Sequence, residues 1–282
     1  MDSKNKHSQG KIVLERKIDS LENYLDFAFS LSRKCGSIMS RSFRKTHDIR
    51  YKGPVDIVTE VDMACQEQAI SSIQKAYPEH SILAEEAGGD VALPEGKSGH
   101  HYKWIIDPLD GTTNYAHGLP IFCFSIALEI DSEIMVGCAY NPALGETFYS
   151  MKGKGVYFND KKIRVSANPV LERSLLSTGF PYDKKVNPDN NFDHFRDVSL
   201  KVRGIRRLGS AVIDLCYTAA GILDGYWELN LNPWDMAVGS LMVPEAGGVV
   251  SDFCNNKLNI YNRRILATNG LIHENMSGIL CG

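Results

Sequence analysis

The stretch Trp104-Ile105-Ile106-Asp107-Pro108-Leu109-Asp110-Gly111-Thr112-Thr113-Asn114-Tyr115 constrains this chain more than any other. It opens as a short apolar run, Trp104 to Ile106, long enough only for a buried strand. The run stops at Asp107-Pro108, a pair that favours leaving regular structure. Two carboxylates three residues apart follow, then a glycine and two hydroxyls. Asp-Pro and Asp-Gly on their own are ordinary turn residues. A strand that delivers acids at its carboxyl end is a common site geometry in sheets flanked by helices.

The remaining residues must supply a scaffold for that strand end. Of the 282 residues, 43% are hydrophobic and 23% charged, enough for one large core or two joined lobes. A net charge of −3 gives no basic field for nucleic acid or an anionic membrane. Residues Met1 to Lys11 are polar and lack an apolar signal core, so residues 1–18 read as a flexible tail. The longest apolar run, around Ile121 to Leu128, is too short to span a bilayer. Seven cysteines are dispersed without Cys-x-x-Cys spacing. That argues against a disulfide framework and structural zinc, and reduced thiols in a cytoplasmic protein are the simplest account. With no repeat and no low-complexity linker, residues 19–282 read as a single domain. Its N-terminal αβ half runs to about residue 165.

In chain order, Asp19 to Phe43 has the helical spacing of Leu21, Leu25, Ala28, Phe29, Ser32, Cys35, Ile38 and Met39, with Asp19 and Glu22 as a capping box. Ile57-Val58 is strand-like, and Thr59 caps a helix to about Tyr77, with Asp62 in its first turn. Ser81 to Ala84 is a strand ending in Glu85-Glu86, and the polar loop from Gly88 to His101 is expected to be mobile. Strands are expected at 122–130, 134–141, 146–151, 156–159 and 162–166. Lys152 to Gly155 is a turn without P-loop spacing and has no nucleotide role. His117 lacks a metal-spaced partner and reads as structural. Ser174 to Phe180 reads as a strand and Asn191 to Val202 as a helix. Gly209-Ser210 opens a helix at Val212 to Ala220, where free backbone N–H groups make either an anion site or a simple Ser cap. Asp224 to Leu229 is a strand, and Asn232 to Gly239 begins a helix that Pro244 kinks or ends early. Strand residues at 249–250 and 264–268 and a short final helix complete the chain.

Asp-Pro-Leu-Asp-Gly-Thr-Thr-Asn at 107–114 resembles the metal-binding segment of the inositol monophosphatase family. Trp-Asp-x-Ala at 234–237, with Glu-Ala-Gly-Gly-Val at 245–249, is similar to that family's second diagnostic segment. Asp56-x-Val58-Thr59-x-x-Asp62 and Glu85-Glu86 also match, with Ala84 in place of the family's usual glycine. The resemblance runs from about Leu21 to His273. It implies a mixed α-β fold, a layered αβαβα sandwich, and a homodimer.

It also implies roles. Glu85 and Asp107, with the Leu109 carbonyl, bind a first metal; Asp107, Asp110 and Asp235 bind a second. Thr112 and Asp62 orient the attacking water, Gly111 and Thr112 offer N–H groups to the phosphate, and Ser210, Ala211 and Glu228 meet the alcohol part. The alternative for Glu228 is an ion pair with an arginine such as Arg206. All four acids are hard oxygen ligands without histidine or cysteine beside them, which favours Mg²⁺, two or three ions, over Mn²⁺ and disfavours Zn²⁺. The implied activity is lithium-sensitive hydrolysis of a phosphate monoester, first inositol 1-phosphate, by a metal-activated water. Sibling activities are fructose-1,6-bisphosphatase, bisphosphate nucleotidase and histidinol phosphatase; Thr113-Asn114-Tyr115 and the lack of large insertions point away from the last two. A further alternative is a bacterial relative that binds the transcription machinery, with Arg206-Arg207 serving a protein or RNA surface.

Overall fold

A computed structural model describes residues 20–53, 56–87, 89–91 and 100–282. The polar tail, Asp19, Pro54, Val55 and most of the loop expected to be mobile lie outside the described residues. The first helix, α1 (Leu21–Ser42), is capped by Ser20, whose side chain accepts from the Asn23 amide. It buries Ala28, Ser32, Cys35 and Met39 of the expected stripe, together with Tyr24 and Leu31, while Leu21, Leu25, Phe29 and Ile38 are only partly buried. An antiparallel pair, β1 (Ile49–Tyr51) and β2 (Ile57–Thr59), leads into α2 (Glu60–Ala76). There Thr59 and Asp62 close a capping box: each satisfies an amide that the helix start leaves open.

Eight strands form the larger sheet: β3 (Ser81–Ala84), β4 (Gly89–Val91), β5 (Tyr102–Asp110), β6 (Cys123–Ile130), β7 (Glu133–Asn141), β8 (Glu146–Met151), β9 (Gly155–Phe158) and β10 (Lys161–Ile163). Their spatial order is β10-β9-β8-β7-β6-β5-β3-β4. A short helix, α3 (Thr112–Ala116), separates β5 from β6. The smaller sheet holds β11 (Leu175–Thr178), β12 (Gly204–Arg206), β13 (Gly225–Leu229), β14 (Val249–Ser251) and β15 (Arg264–Thr268), in the order β12-β11-β13-β15-β14. The remaining helices are α4 (Phe192–Ser199), α5 (Ala211–Ala219), α6 (Pro233–Glu245) and α7 (His273–Leu280).

The alternation of side chains along each strand makes the layers. On β5, Trp104 and Ile106 enter a core with Leu31, Met39, Cys65 and Ile73 of α1 and α2. Ile105 points the other way, into a core with Val212, Leu215, Met236 and Met242 of α5 and α6. On β13, Tyr226 joins that same core, whereas Trp227 and Leu229 pack outward with Val198 of α4 and Met276 and Leu280 of α7. The result is helices, sheet, helices, sheet, helices, the expected αβαβα order, with α5 and α6 shared between the two sheets. No helix among the described residues is long and apolar enough to cross a membrane.

Three expectations need correction. The first helix is capped by Ser20 and not by a box of Asp19 with Glu22. Strand β5 does not stop at Asp107-Pro108 but continues to Asp110. Its pairing with β6 shifts register between Asp107, opposite Ser125, and Asp110, opposite Cys123, so β5 carries one extra residue there. Proline has no N–H for the ladder, and a bulge absorbs it without ending the strand. Cys254 and Cys281 form a disulfide, while the other five cysteines are free and buried. Dispersed spacing hid this pair because the packing of α7 brings the chain end back to the segment after β14.

Candidate active site

Parallel pairing of β3 with β5 aligns Ala84 with Ile106, so Glu85, just past the end of β3, comes beside Asp107 of β5. Asp107 is 2% exposed, and its Oδ1 accepts the Leu109 N–H at 3.0 Å. Asp110, beyond the bulge, sits against the start of α5. Its Oδ2 accepts the Ser210 hydroxyl at 2.5 Å and the Val212 N–H at 2.8 Å. The N–H groups expected to be free at that helix start are therefore directed to Asp110. An internal carboxylate fills the place that the helix dipole offers to an anion. Ser210 also caps α5, accepting from the Ile213 amide at 3.2 Å. Asp235 occupies the first turn of α6, where its Oδ2 accepts the Asn232 N–H at 2.7 Å.

Asp107, Asp110 and Asp235 each offer an oxygen, and these oxygens lie within 4.8 Å of one another. They form the floor of a cavity of about 620 Å³ that Glu85, Leu109, Gly111, Thr112, Ser210, Ala211 and Glu228 also line. Burial pushes the carboxyls of Asp107 and Asp235 well above the usual range, and neighbouring carboxylates add to it. Burial raises Asp110 too, opposed by its Ser210 and Val212 hydrogen bonds. Glu85 is pushed up to about 7 by burial, against the pull of Lys52. Like charges this close need a cation among them. Three converging oxygen donors without nitrogen or sulfur fit a hard divalent ion.

One cation already present is Lys52, a residue that motif reading passed over. Its Nζ lies 2.8 Å from Glu85 Oε1 and 2.7 Å from Glu86 Oε1. Burial opposes its charge, but the two carboxylates outweigh that and hold the ammonium above its ordinary range. Glu85 therefore faces the cavity beside Asp107 while its carboxylate is paired with Lys52.

Gly111 has φ of +90°, and a Cβ there would stand 2.9 Å from the Ile121 carbonyl oxygen and 3.2 Å from that of Gly209. Only glycine makes this turn from β5 into α3. The turn sets Thr112 Oγ1 2.8 Å from Asp62 Oδ1 and 2.9 Å from the Leu109 carbonyl oxygen. Asp62 is buried behind it, with its other oxygen taken by the Thr59 N–H at 2.9 Å and the Thr59 hydroxyl at 2.5 Å.

On the far wall, Glu228 of β13 accepts the Tyr226 hydroxyl at 2.6 Å through Oε2. Burial pushes its carboxyl up to about 7, opposed by Tyr226 and by Arg207. The arginine that faces Glu228 is Arg207; Arg206 Nη1 donates to the Ile205 carbonyl instead. Asp214 of α5 also lines the cavity. It is 1% exposed, its Oδ1 has no hydrogen-bond partner among the described residues, and burial raises its carboxyl well above the usual range. Its position inside an apolar helix was the sequence signal. Glu245, from the Glu-Ala-Gly-Gly segment, is not at the site: its carboxylate accepts the Gly153 and Gly155 N–H groups and clamps the β8–β9 turn. His117 is exposed at the end of α3.

A model of the inositol monophosphatase family matches residues 20–281. The chain belongs to the inositol monophosphatase family. An inositol-1-monophosphatase of Synechocystis sp. is 42% identical to it, over 92% of this chain and 89% of that one. The Nus factor SuhB of Pseudomonas aeruginosa is 40% identical, over 88% of this chain and 92% of its own. The solved structure of the inositol monophosphatase from Anabaena (Nostoc) sp. superposes with a TM-score of 0.83 at 40% identity, over 93% of this chain and 96% of that one. Membership in the inositol monophosphatase family makes the chain a metal-dependent phosphoric monoester hydrolase by class.

Proposed function

We propose that this protein hydrolyses a phosphate monoester of a small polyol, inositol 1-phosphate first among them, with Mg²⁺ as its metal. The observation that carries this reading is the convergence of Asp107, Asp110 and Asp235 at the floor of a cavity whose far wall presents Glu228. Asp107, Asp110 and Asp235, together with Glu85 and the Leu109 carbonyl, would hold two or three ions. Bound there, such ions supply an activated water and neutralise charge on the phosphate and the leaving oxygen.

The chain's own residues do the rest. Thr112 donates its hydroxyl hydrogen to Asp62, which leaves its lone pairs to accept from the attacking water and fix its direction. Asp62 keeps Thr112 in that orientation because Thr59 holds Asp62 from behind. The backbone N–H groups of Gly111 and Thr112, at the start of α3, suit the phosphate oxygens. Ser210 and Ala211 form the wall beside the alcohol, and Ser210 also orients Asp110. Glu228 accepts hydrogen bonds from substrate hydroxyls, and its charge disfavours a second phosphate. A homodimer belongs to this reading on the strength of the family resemblance, and a cytoplasmic location on the five cysteines that are free and buried.

Phosphate release from a panel tests it: inositol 1-phosphate, fructose 1,6-bisphosphate, a 3′,5′-bisphosphorylated nucleoside and histidinol phosphate, each with Mg²⁺. The reading expects the highest kcat/KM on inositol 1-phosphate. A clear preference for one of the others moves the chain to that sibling activity. A role beside the transcription machinery draws support only from relatives named Nus factor SuhB. The Arg206-Arg207 pair does not add to it, since Arg207 lines the cavity.

A further inference from the structure

Gly179 lies at the end of β11, beside the wall that carries Glu228. In the parallel pairing of β11 with β13, Thr178 is opposite Trp227, so Gly179 follows opposite Glu228. Residues paired this way project to the same face of a sheet. A Cβ on Gly179 would stand 2.1 Å from both carboxylate oxygens of Glu228 and 2.2 Å from its Cδ. Such separations fall far inside the roughly 3.5–4.0 Å of ordinary non-bonded contact. The glycine is not demanded by the backbone, because its φ is not positive. What demands it is the carboxylate.

The peptide cannot easily move aside. The Asn191 amide donates to the Gly179 carbonyl at 2.6 Å and to Thr178 Oγ1 at 2.8 Å. Its oxygen accepts the Trp227 indole N–H at 2.9 Å, and Thr178 Oγ1 donates to the Trp227 carbonyl at 2.6 Å. One buried amide therefore ties the Gly179 peptide to the strand that bears Glu228. With Tyr226 holding Oε2 from the other side, Oε1 is left to accept from a ligand in the cavity.

We propose that Gly179 is a positioning residue for substrate choice: the space left by its missing side chain is where the Glu228 carboxylate stands, and Asn191 pins the peptide so that the space stays open. This rests on the reading of Glu228 as the group that meets substrate hydroxyls. A side chain at 179 swings the carboxylate away from the polyol and leaves the three-aspartate floor as it is.

The test is a double-mutant cycle of Gly179→Ala with Glu228→Gln, read as the ratio of kcat/KM for inositol 1-phosphate to that for an aryl phosphate. Losing one hydrogen bond to a charged group lowers that ratio roughly tenfold or more. Gly179→Ala and Glu228→Gln should each do so, and the double variant should fall little further than either. Thermal unfolding supplies a readout independent of substrate. Gly179→Ala should lower Tm in the native background and much less beside Glu228→Ala, where the contested space is empty. Full additivity in the cycle, or an equal Tm loss in both backgrounds, overturns the proposal. An unchanged ratio in Gly179→Ala beside a fallen one in Glu228→Gln overturns the inference alone. An unchanged ratio in Glu228→Gln overturns the reading of Glu228 and the inference with it.

Discussion

Chelation should destabilise this protein by an amount that grows with pH. Without a divalent ion, Glu85 has a carboxyl raised from 4.5 to about 7, first by burial and then by its acidic neighbours against Lys52. A raised acid binds its proton more tightly in the folded than in the unfolded chain. Its contribution is fully present below the unfolded value and is lost as pH climbs through about 7. That interval is worth about 3 kcal/mol for Glu85 alone. At roughly 2 °C per kcal/mol for a chain of this size, metal-free Tm should fall by about 6 °C between pH 5 and pH 8. Asp107 and Asp235, raised by burial and by their neighbours, act in the same direction. Mg²⁺ requires ionised ligands and cancels their repulsion, so the Tm gain from added Mg²⁺ should widen over the same range. Differential scanning fluorimetry with EDTA and with Mg²⁺ at half-unit pH steps reads this directly, and Glu85→Gln should flatten the metal-free slope. A Tm gain from Mg²⁺ that is constant with pH, or larger at acid pH, refutes the reasoning.

Asp110→Asn and Asp235→Asn should each fold but lose activity by roughly a hundredfold or more, since each removes charge from a metal ligand at nearly constant volume; near-normal kcat shows the ligand assignment to be wrong. Li⁺ in the millimolar range should inhibit through the position formed by Asp107, Asp110 and Asp235, and steady-state rates that ignore Li⁺ argue for a sibling without that sensitivity. Reducing the Cys254–Cys281 disulfide, which spans 27 residues, should lower stability by about 3.5 kcal/mol on loop-closure grounds, with little effect on KM because it lies in the outer α7 layer. Denaturant unfolding with and without reductant measures this, and equal midpoints contradict it.

What could be read ahead was local. Trp104-Ile105-Ile106 announces a strand buried on both faces, and its alternation does feed two cores. Thr59 and Asp62 are three residues apart and close a capping box that short-range spacing describes well. The acids at 85, 107, 110 and 235 stand at strand ends or a helix start, positions that motifs mark. What could not be read depends on partners far apart in sequence. Lys52 meets Glu85 and Glu86 only because it follows directly on β1 and comes against the end of β3. The helix start at Ser210 looked open because nothing near it in sequence shows that Asp110 fills it. Gly179 gives no turn signal, since its need is for space beside Glu228 rather than for a special φ. Pro108 suggested an end to β5 because the extra residue that accommodates it is visible only against β6.

If Asp107, Asp110 and Asp235 serve phosphate ester hydrolysis by holding a divalent ion, turnover must depend on that ion. The most direct measurement is phosphate release from inositol 1-phosphate by the native protein after exhaustive chelation, with metal content followed by atomic emission, and again after Mg²⁺ is restored. The metal-free protein should show no turnover, and activity should recover as Mg²⁺ binds. Full turnover with metal shown to be absent contradicts that dependence.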